Sequence, residues 1–547
     1  MSGTSDTDAG VIHSSTVMAT GTIVSRVTGV LRTTALTAAV GTGLLADAYN
    51  TANTLPNIIY ILLVGGALNA VFIPQLVRHM SDDVDEGRAY ADRLLTLSGL
   101  VLLAVTTAAV LTAPWVTPLY AGTGWNAHQI QVLTQFAYLC LPQIFFYGMY
   151  ALYSQVLNTH GQFGPPMFAP IVNNVVVIAG CGVFLAVQHS PNINSIDSGG
   201  ILLLGAVTTV GVVAQALVLM PVMARSGYRY RPRFDLRGQG LGRAVALARW
   251  TIFFVAVNQL TFLLVTRLAN TAGAQQAALG IAAPKGSYVY ASAQLMFILP
   301  HSIVTVSVVT ALMPRMSRAV HDGDLAAVRH DLAGGMRLVG AALVPASILL
   351  GLLGPQLAEL LLGYGNAGDA GARAIGQVVQ VLSVGLVAYS LYYVLLRGFY
   401  ALEDTRTPAL VNLFLTAVNL GIGYTLYRVL PPDQKVEGLA VGFAAAYIAT
   451  TVVFWVLLRR RFAGLDTYLT IRTLVRLAVA GALSAAAGGL LLRLVGAHTD
   501  SGKVGALLAC LVAGPAVRGV FALGARRLRV TEVVDVLGLV RRRLGRR

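Results

Sequence analysis

Charge is what this chain has least of. Only 11% of its 547 residues are Asp, Glu, Lys or Arg, against about a quarter in a soluble domain. With 56% of the chain hydrophobic and a mean hydropathy of +0.70, the deficit excludes a water-soluble fold. Cysteine is equally sparse. Cys140, Cys181 and Cys510 stand far apart in apolar runs. That excludes a disulfide framework or a metal-ligand spacing, and the three read as small hydrophobes in helix interiors. No Walker loop is present, so ATP is not the direct driver, and neither a nucleophile elbow nor a paired carboxylate site is found. No metal, cofactor or enzymatic reaction is expected. The opening residues, Met1 to Asp8, lack the basic region of a secretory signal, so the first apolar run is expected to be a retained span.

What is there is a succession of apolar runs. About twenty such residues span the hydrocarbon core, and on that rule the chain predicts an all-α polytopic membrane protein with fourteen transmembrane helices. The first is expected over 18–40, the second over 48–77, the ninth over 336–353 and the last two over 474–494 and 504–523. The net charge of +16 does not point to nucleic acid, because the basic residues lie in loops between spans. The loop after helix six carries Arg225, Arg229, Arg231, Arg233, Arg237 and Arg243 against Asp235 alone, whereas loops of opposite parity, such as 116–128 and 189–200, hold no Lys or Arg. By the positive-inside rule the arginine-rich side is cytoplasmic and both termini are inside. Arg459-Arg460-Arg461 and the basic tail fall on that side, the tail serving as a topogenic anchor or a lipid-binding segment.

An internal repeat is legible. Pro314 and Arg318 lie 240 residues after Pro74 and Arg78, and Tyr389, Tyr392 and Pro408 lie 242 after Tyr147, Tyr150 and Pro166. Helices one to six and seven to twelve therefore read as two parallel six-helix halves, one of the known transporter designs, with two extra C-terminal helices. The expected organisation is an N-terminal segment (1–17), a first half (18–224), a basic loop (225–243), a second half (244–458), two helices forming a lipid-tail groove (459–525) and a basic tail (526–547).

Polar chemistry concentrates in the first two helices. Arg26 and Arg32 stand deep in helix one, where each costs roughly 2.5–3.5 kcal/mol unless it faces protein or a water-filled cavity. They are about 9 Å apart along the helix. Helix two, running back, brings Asn57 near the level of Arg32 and Asn69 near that of Arg26, with Asn53 further out. Such a ladder of arginine and amide donors suits an anion with several oxygens, such as a pyrophosphate. The alternative is that the arginines pin helices together through carbonyls and Asp47. Asp47 either pairs with an arginine during closure or caps helix two. Pro56, Gly65 and Gly66 in helix two and Pro300 in helix eight can bend their helices as gates, or serve close packing. Helices seven to eleven are expected to hold no carboxylate, which leaves no ligand for a coupling ion there.

The ordered string Ser25-Arg26-Val27, Gly29, Arg32, Asp47-Ala48, Leu55-Pro56-Asn57, Gly66-Ala67 and Phe72-x-Pro74 resembles the first two helices of the MurJ/MviN family, lipid II flippases of the MOP exporter superfamily. Weaker similarity continues to about residue 525, through Phe168-Ala169-Pro170 and Gly398-Phe399-Tyr400. The resemblance implies that Arg26 and Arg32 are functional and that the substrate is lipid II, the undecaprenyl-pyrophosphate-linked peptidoglycan precursor, moved from the inner to the outer leaflet of the bacterial plasma membrane by alternating access. Membrane lipids and cell-wall synthesis proteins are candidate partners. The chain departs from the family at Tyr60 and Ile61, where many relatives have arginine, at Gly65, where many have Glu, and at Gln294, near the place of an arginine in helix eight. Arg249, Arg267, Lys285 and Arg397 are candidates to compensate. Rival readings are another MOP-type exporter of a polysaccharide-linked lipid or drug, a membrane glycosyltransferase and a cell-wall scaffold. A drug exporter favours an aromatic, acidic cavity, a glycosyltransferase needs acidic residues at the membrane face, and a scaffold needs neither arginine.

Overall fold

The computed structural model describes residues 21, 24–62, 88–188, 191–234, 241–462, 464–494 and 502–533. The proposed gate residues Gly65 and Gly66 and the donor Asn69 lie outside them. Among the described residues there is no strand. Eleven helices are long and apolar enough to cross a bilayer, and one bent pair makes a twelfth. These twelve fall in order on expected spans three to fourteen. The helices over 24–40 (α1) and Leu44–Tyr60 (α2) fall on the first two, so the structure is consistent with fourteen.

The chain divides into two units. Unit 1 comprises Met1–Ala274 with Tyr364–Ala367, and unit 2 comprises Gln275–Gly363 with Gly368–Arg547. Unit 1 continues from α2 with Arg88–Ala121 (α3), Ala127–Cys140 (α4), Gln143–Thr159 (α5), Gly164–Val187 (α6), Ser198–Leu217 (α7) and Leu219–Arg225 (α8). The next helix, Leu241–Ala278 (α9), is the seventh expected span. The repeat counts it with the second half, but as far as Ala274 it belongs to unit 1, where its Asn270 is bonded. Asn270, fully buried, donates to Thr51 Oγ1 (3.0 Å) and to the Tyr120 carbonyl (2.8 Å), and Trp125 Nε1 donates to the Asn270 carbonyl (3.2 Å).

Unit 2 contains Ser287–His321 (α10), Leu325–Leu362 (α11), Gly368–Ser383 (α12), Leu386–Ala401 (α13), Arg406–Val429 (α14), Lys435–Arg461 (α15), Thr467–Leu494 (α16) and Gly502–Arg527 (α17). Its main core joins α10, α11, α13 and α15 through Met316, Leu332, Met336, Leu395, Phe399 and Phe454. The two C-terminal helices lean on α11 through small residues, as membrane helices do. A Cβ on Gly488 of α16 would meet Leu352 of α11 at 3.0 Å, and one on Gly340 of α11 would meet Leu474 of α16 at 2.9 Å. The C-terminal segment tucks Val530 and Val533 into a second cluster with Ala341, Leu477, Ala480 and Phe521, and Glu532 accepts from Arg337 Nε at 2.7 Å.

Local geometry repeats between the units at the spacing read from the tyrosines. Helix four breaks at Leu141 and Pro142. Its counterpart, 242 residues on, breaks between Ser383 and Leu386 and bends there by 54°. The next turn repeats too. Gly161 has φ +73° and Gln162 N–H donates to the Leu157 carbonyl, while Glu403 has φ +56° and Asp404 N–H donates to the Phe399 carbonyl. A positive φ suits the glycine and strains the glutamate. The strain at Glu403 is offset locally. Asp404 accepts from Thr407 N (2.9 Å), Thr407 Oγ1 (2.6 Å) and the Arg461 guanidinium (2.6 Å). Burial pulls the Asp404 carboxyl upward, but these bonds outweigh it and hold it below the usual range.

Candidate functional site

Helix α1 carries Arg26 and Arg32, and hydroxyls beside them are satisfied along its own backbone. Thr33 Oγ1 donates to the Gly29 carbonyl (3.1 Å) and Thr37 Oγ1 to the Thr33 carbonyl (2.8 Å). An amide from α6 fixes its register, with Asn174 Nδ2 donating to Thr28 Oγ1 at 2.9 Å. Arg26 is exposed and Arg32 half-buried. The Arg32 Nε atom is buried without a hydrogen-bond partner. The Arg32 charge acts on Tyr49 of α2, Tyr147 of α5 and Cys181 of α6. The guanidinium is thus within the electrostatic reach of three further helices of unit 1.

On α2, Asp47 is 1% exposed and lies in the first helical turn. The helix begins at Leu44 with Gly43 as N-cap, so Asp47 is inside the helix and is not its cap. There its negative charge complements the helix dipole. Asn53 is half-buried and Asn57 exposed. Asn53 Oδ1 accepts from Gln143 Nε2 (3.4 Å), which also donates to Thr209 Oγ1 (3.0 Å), and Thr209 donates to the Leu139 carbonyl (2.7 Å). This chain of bonds supplies the helix-four break with partners. With its oxygen so occupied, Asn53 has its amide N–H groups left as donors. Pro56 is buried inside α2, which runs on into a π turn at residues 61–62. Tyr60, where the resemblance leads one to expect arginine, lies 5.8 Å from the Tyr147 ring.

The compensating residues are placed differently. Arg267 donates to the Leu119 carbonyl at 3.0 Å, and Arg249 is exposed, 5.8 Å from the Trp250 ring. In unit 2, Gln294 lies one helical turn after Tyr290 on α10. Lys285 is no free cation. Its ammonium pairs with Glu437 and donates to the Asp433 carbonyl (3.1 Å). Arg397 stands half-buried, 5.7 Å from the Tyr400 ring. The expectation of no carboxylate in helices seven to eleven is overturned. α11 runs well beyond the apolar window and carries Glu359, 3% exposed, paired with Arg373 at 2.9 Å. Pro300 lines an apolar groove of about 450 Å³ with Leu350, Leu353, Leu511 and Pro515, and Arg518 stands in the same lining.

The units differ in what fills equivalent places. Tyr147, Gly148 and Ala151 of α5 correspond to Tyr389, Ser390 and Tyr393 of α13. In unit 2 this position is filled with rings. His301 bonds Ser390 Oγ (2.9 Å) and lies 4.6 Å from the Tyr389 ring and 4.8 Å from that of Tyr393. Gln143 corresponds to Gly385, where a Cβ would meet Ala444 at 2.9 Å. At these equivalent places unit 1 therefore keeps the polar amide of Gln143 where unit 2 has close-packed glycine and rings. Gln143, Thr209 and Asn270 were missed in the sequence. A glutamine directly after Pro142 in an apolar run was the available signal for the first.

A family model described as lipid II flippase MurJ matches residues 36–512. The match takes in Asp47, Asn53, Pro56 and Asn57, whereas Arg26 and Arg32 precede it. The chain is similar to the probable lipid II flippase MurJ of Haemophilus influenzae, 28% identical over 82% of this chain and 85% of the relative. To the lipid II flippase MurJ of Burkholderia cenocepacia it is 26% identical over 80% and 82%. Its fold is similar to that of a lipid II flippase MurJ in an inward closed conformation (TM-score 0.72, 17% identity, 93% of this chain and 99% of that one). It is also similar to that of an inward-facing multidrug resistance MATE family transporter of the MOP superfamily (TM-score 0.64, 14% identity, 81% and 96%).

Proposed function

Because this multi-pass membrane chain belongs to the lipid II flippase MurJ family, we propose that it carries lipid II from the inner to the outer leaflet of the bacterial plasma membrane, with Arg32 as the central contact for the pyrophosphate. The observation that carries this reading is the buried, unpartnered Nε of Arg32. A guanidinium N–H left without an acceptor in an apolar setting is costly, and a pyrophosphate oxygen is the acceptor it fits. Arg26, more exposed and nearer the cytoplasm in the proposed orientation, meets the headgroup first. Asn53, positioned by Gln143, offers amide donors to the same anion. The test is depletion of the chain in its host, with measurement of which leaflet holds lipid II. Accumulation on the cytoplasmic side is expected, and an unchanged distribution would overturn the reading.

The proposed orientation places both termini in the cytoplasm. Cysteines introduced at Asn192 and Arg231 are then expected to label from opposite sides of the membrane, and labelling from one side would sink both the orientation and the helix count. The groove beside Pro300 and Pro515 is assigned to the polyprenyl tail, since its wall is apolar but for Arg518. A photoreactive polyprenyl chain is expected to mark Leu350, Leu353 and Leu511, and a headgroup probe is not. The reverse pattern would transfer the headgroup site to unit 2.

A further inference from the structure

The three arginines that close α15 do not share one role. Arg461 is built into the fold. It holds Asp404 (2.6 Å) and Thr407 Oγ1 (3.0 Å), and its guanidinium lies 5.4 Å from the Phe399 ring. Arg459 and Arg460 are exposed and make no side-chain bond among the described residues. They line a cavity of about 490 Å³ together with Val456, Gly464 and Thr467. Thr467 opens α16, a helix of 28 residues, and its Oγ1 is buried without a partner. The first N–H groups of a helix lack intrahelical acceptors and carry the positive end of its dipole. Gly464 shapes the approach with φ +127°, which side chains rarely adopt, and its N–H is tied back to the Arg459 carbonyl at 2.9 Å. The neighbouring carboxylate, Asp466, is matched by Arg329 of α11 at 3.4 Å, with His330 Nδ1 at the same distance. Two free guanidinium groups and the residue that opens α16 therefore line one cavity.

What lies beside the cavity identifies the source of the anion. α15 leads away from it through Val456 and Val452, 40% and 58% exposed, and α16 through Leu469 and Val475, 47% and 55% exposed. On a membrane protein such surfaces face acyl chains. We propose that this cavity binds the phosphodiester headgroup of an anionic membrane phospholipid. Its phosphate oxygens accept from Arg459, Arg460, Thr467 and the first turn of α16, and its chains lie along Val456 and Val452. The site is separate from the one assigned to Arg32 and does not depend on which substrate is carried.

The test uses the full chain in detergent micelles, with native mass spectrometry counting retained phosphatidylglycerol, phosphatidylcholine or inorganic phosphate. Arg459→Gln/Arg460→Gln is expected to weaken phosphatidylglycerol retention about tenfold or more, the loss of one or more charge-assisted hydrogen bonds. Thr467→Val, which keeps both charges, is expected to weaken it severalfold. Arg428→Gln/Arg493→Gln removes the same charge from exposed arginines elsewhere and is expected to leave retention unchanged. Equal losses in the two double variants would reduce the effect to surface charge and overturn the proposal, as would equal retention of phosphatidylcholine. Displacement of the phospholipid by inorganic phosphate at equal concentration would leave a phosphate site and overturn the lipid assignment.

Discussion

Replacing Arg32 by Ala is expected to abolish transport while the protein still inserts and folds. In vesicles loaded with lipid II, outward exposure is expected to fall by about a hundredfold or more, since two hydrogen bonds to a charged group are each worth about 1.5–3 kcal/mol. The reasoning begins with what cannot cross hydrocarbon unaided, a doubly negative pyrophosphate. Fixed positive charge must meet it at mid-depth, and Arg32 is a half-buried cation of α1 with an unpaired donor. Arg32→Lys keeps the charge but loses the planar fork, so partial activity is expected. Arg26→Ala is expected to slow loading from the cytoplasmic side more than release, because Arg26 is exposed. A membrane potential negative inside assists export by about 2.3 kcal/mol per charge per 100 mV, so collapsing it should slow the wild type and Arg32→Lys alike. Normal cell-wall synthesis with Arg26→Ala and Arg32→Ala together at native expression would reduce both arginines to helix pins.

The spans were legible because lipid leaves no choice of side chain over twenty residues, and the twelve that the structure describes in full fall where apolar runs predict. Helix ends were less so. The apolar window gave 336–353 for a helix that runs Leu325–Leu362, because a helix continues into the interface where polar residues are again allowed. Glu359 was lost in that margin. In the site, Arg32 stood out by cost alone, as a cation in a hydrophobic run. Gln143 and Asn270 did not, since an amide is cheap enough to occur anywhere and its meaning lies in partners far along the chain. Asn270 answers to Thr51, and Gln143 to Asn53 and Thr209. The repeat was legible from tyrosines and prolines, but not its asymmetry. Only the packing of His301, Tyr389 and Tyr393 shows that unit 2 fills with rings the place where unit 1 has Gly148 and Ala151.

Lys285 is where this distinction has the largest measurable consequence outside helix one. Read in sequence it was a spare cation for the substrate, but its partner Glu437 lies 152 residues away in the first turn of α15. The two side chains are 11% and 15% exposed. Lys285 is further locked by its backbone, since its N–H donates to Gln276 Oε1 (2.9 Å) and its carbonyl accepts from Gln276 Nε2 (3.2 Å). Glu437→Ala strands an ammonium in a nearly buried place, and removing one partner of such a pair costs about 3–5 kcal/mol. A lower melting temperature in detergent and a lower yield of folded protein are expected. Lys285→Met/Glu437→Leu removes both charges and is expected to recover most of the lost stability, because apolar replacement of a whole buried pair is often neutral or stabilising. Transport by that double variant should track its folded fraction. If it folds as well as the wild type but carries no lipid II, Lys285 does serve the substrate and the structural assignment of the pair fails.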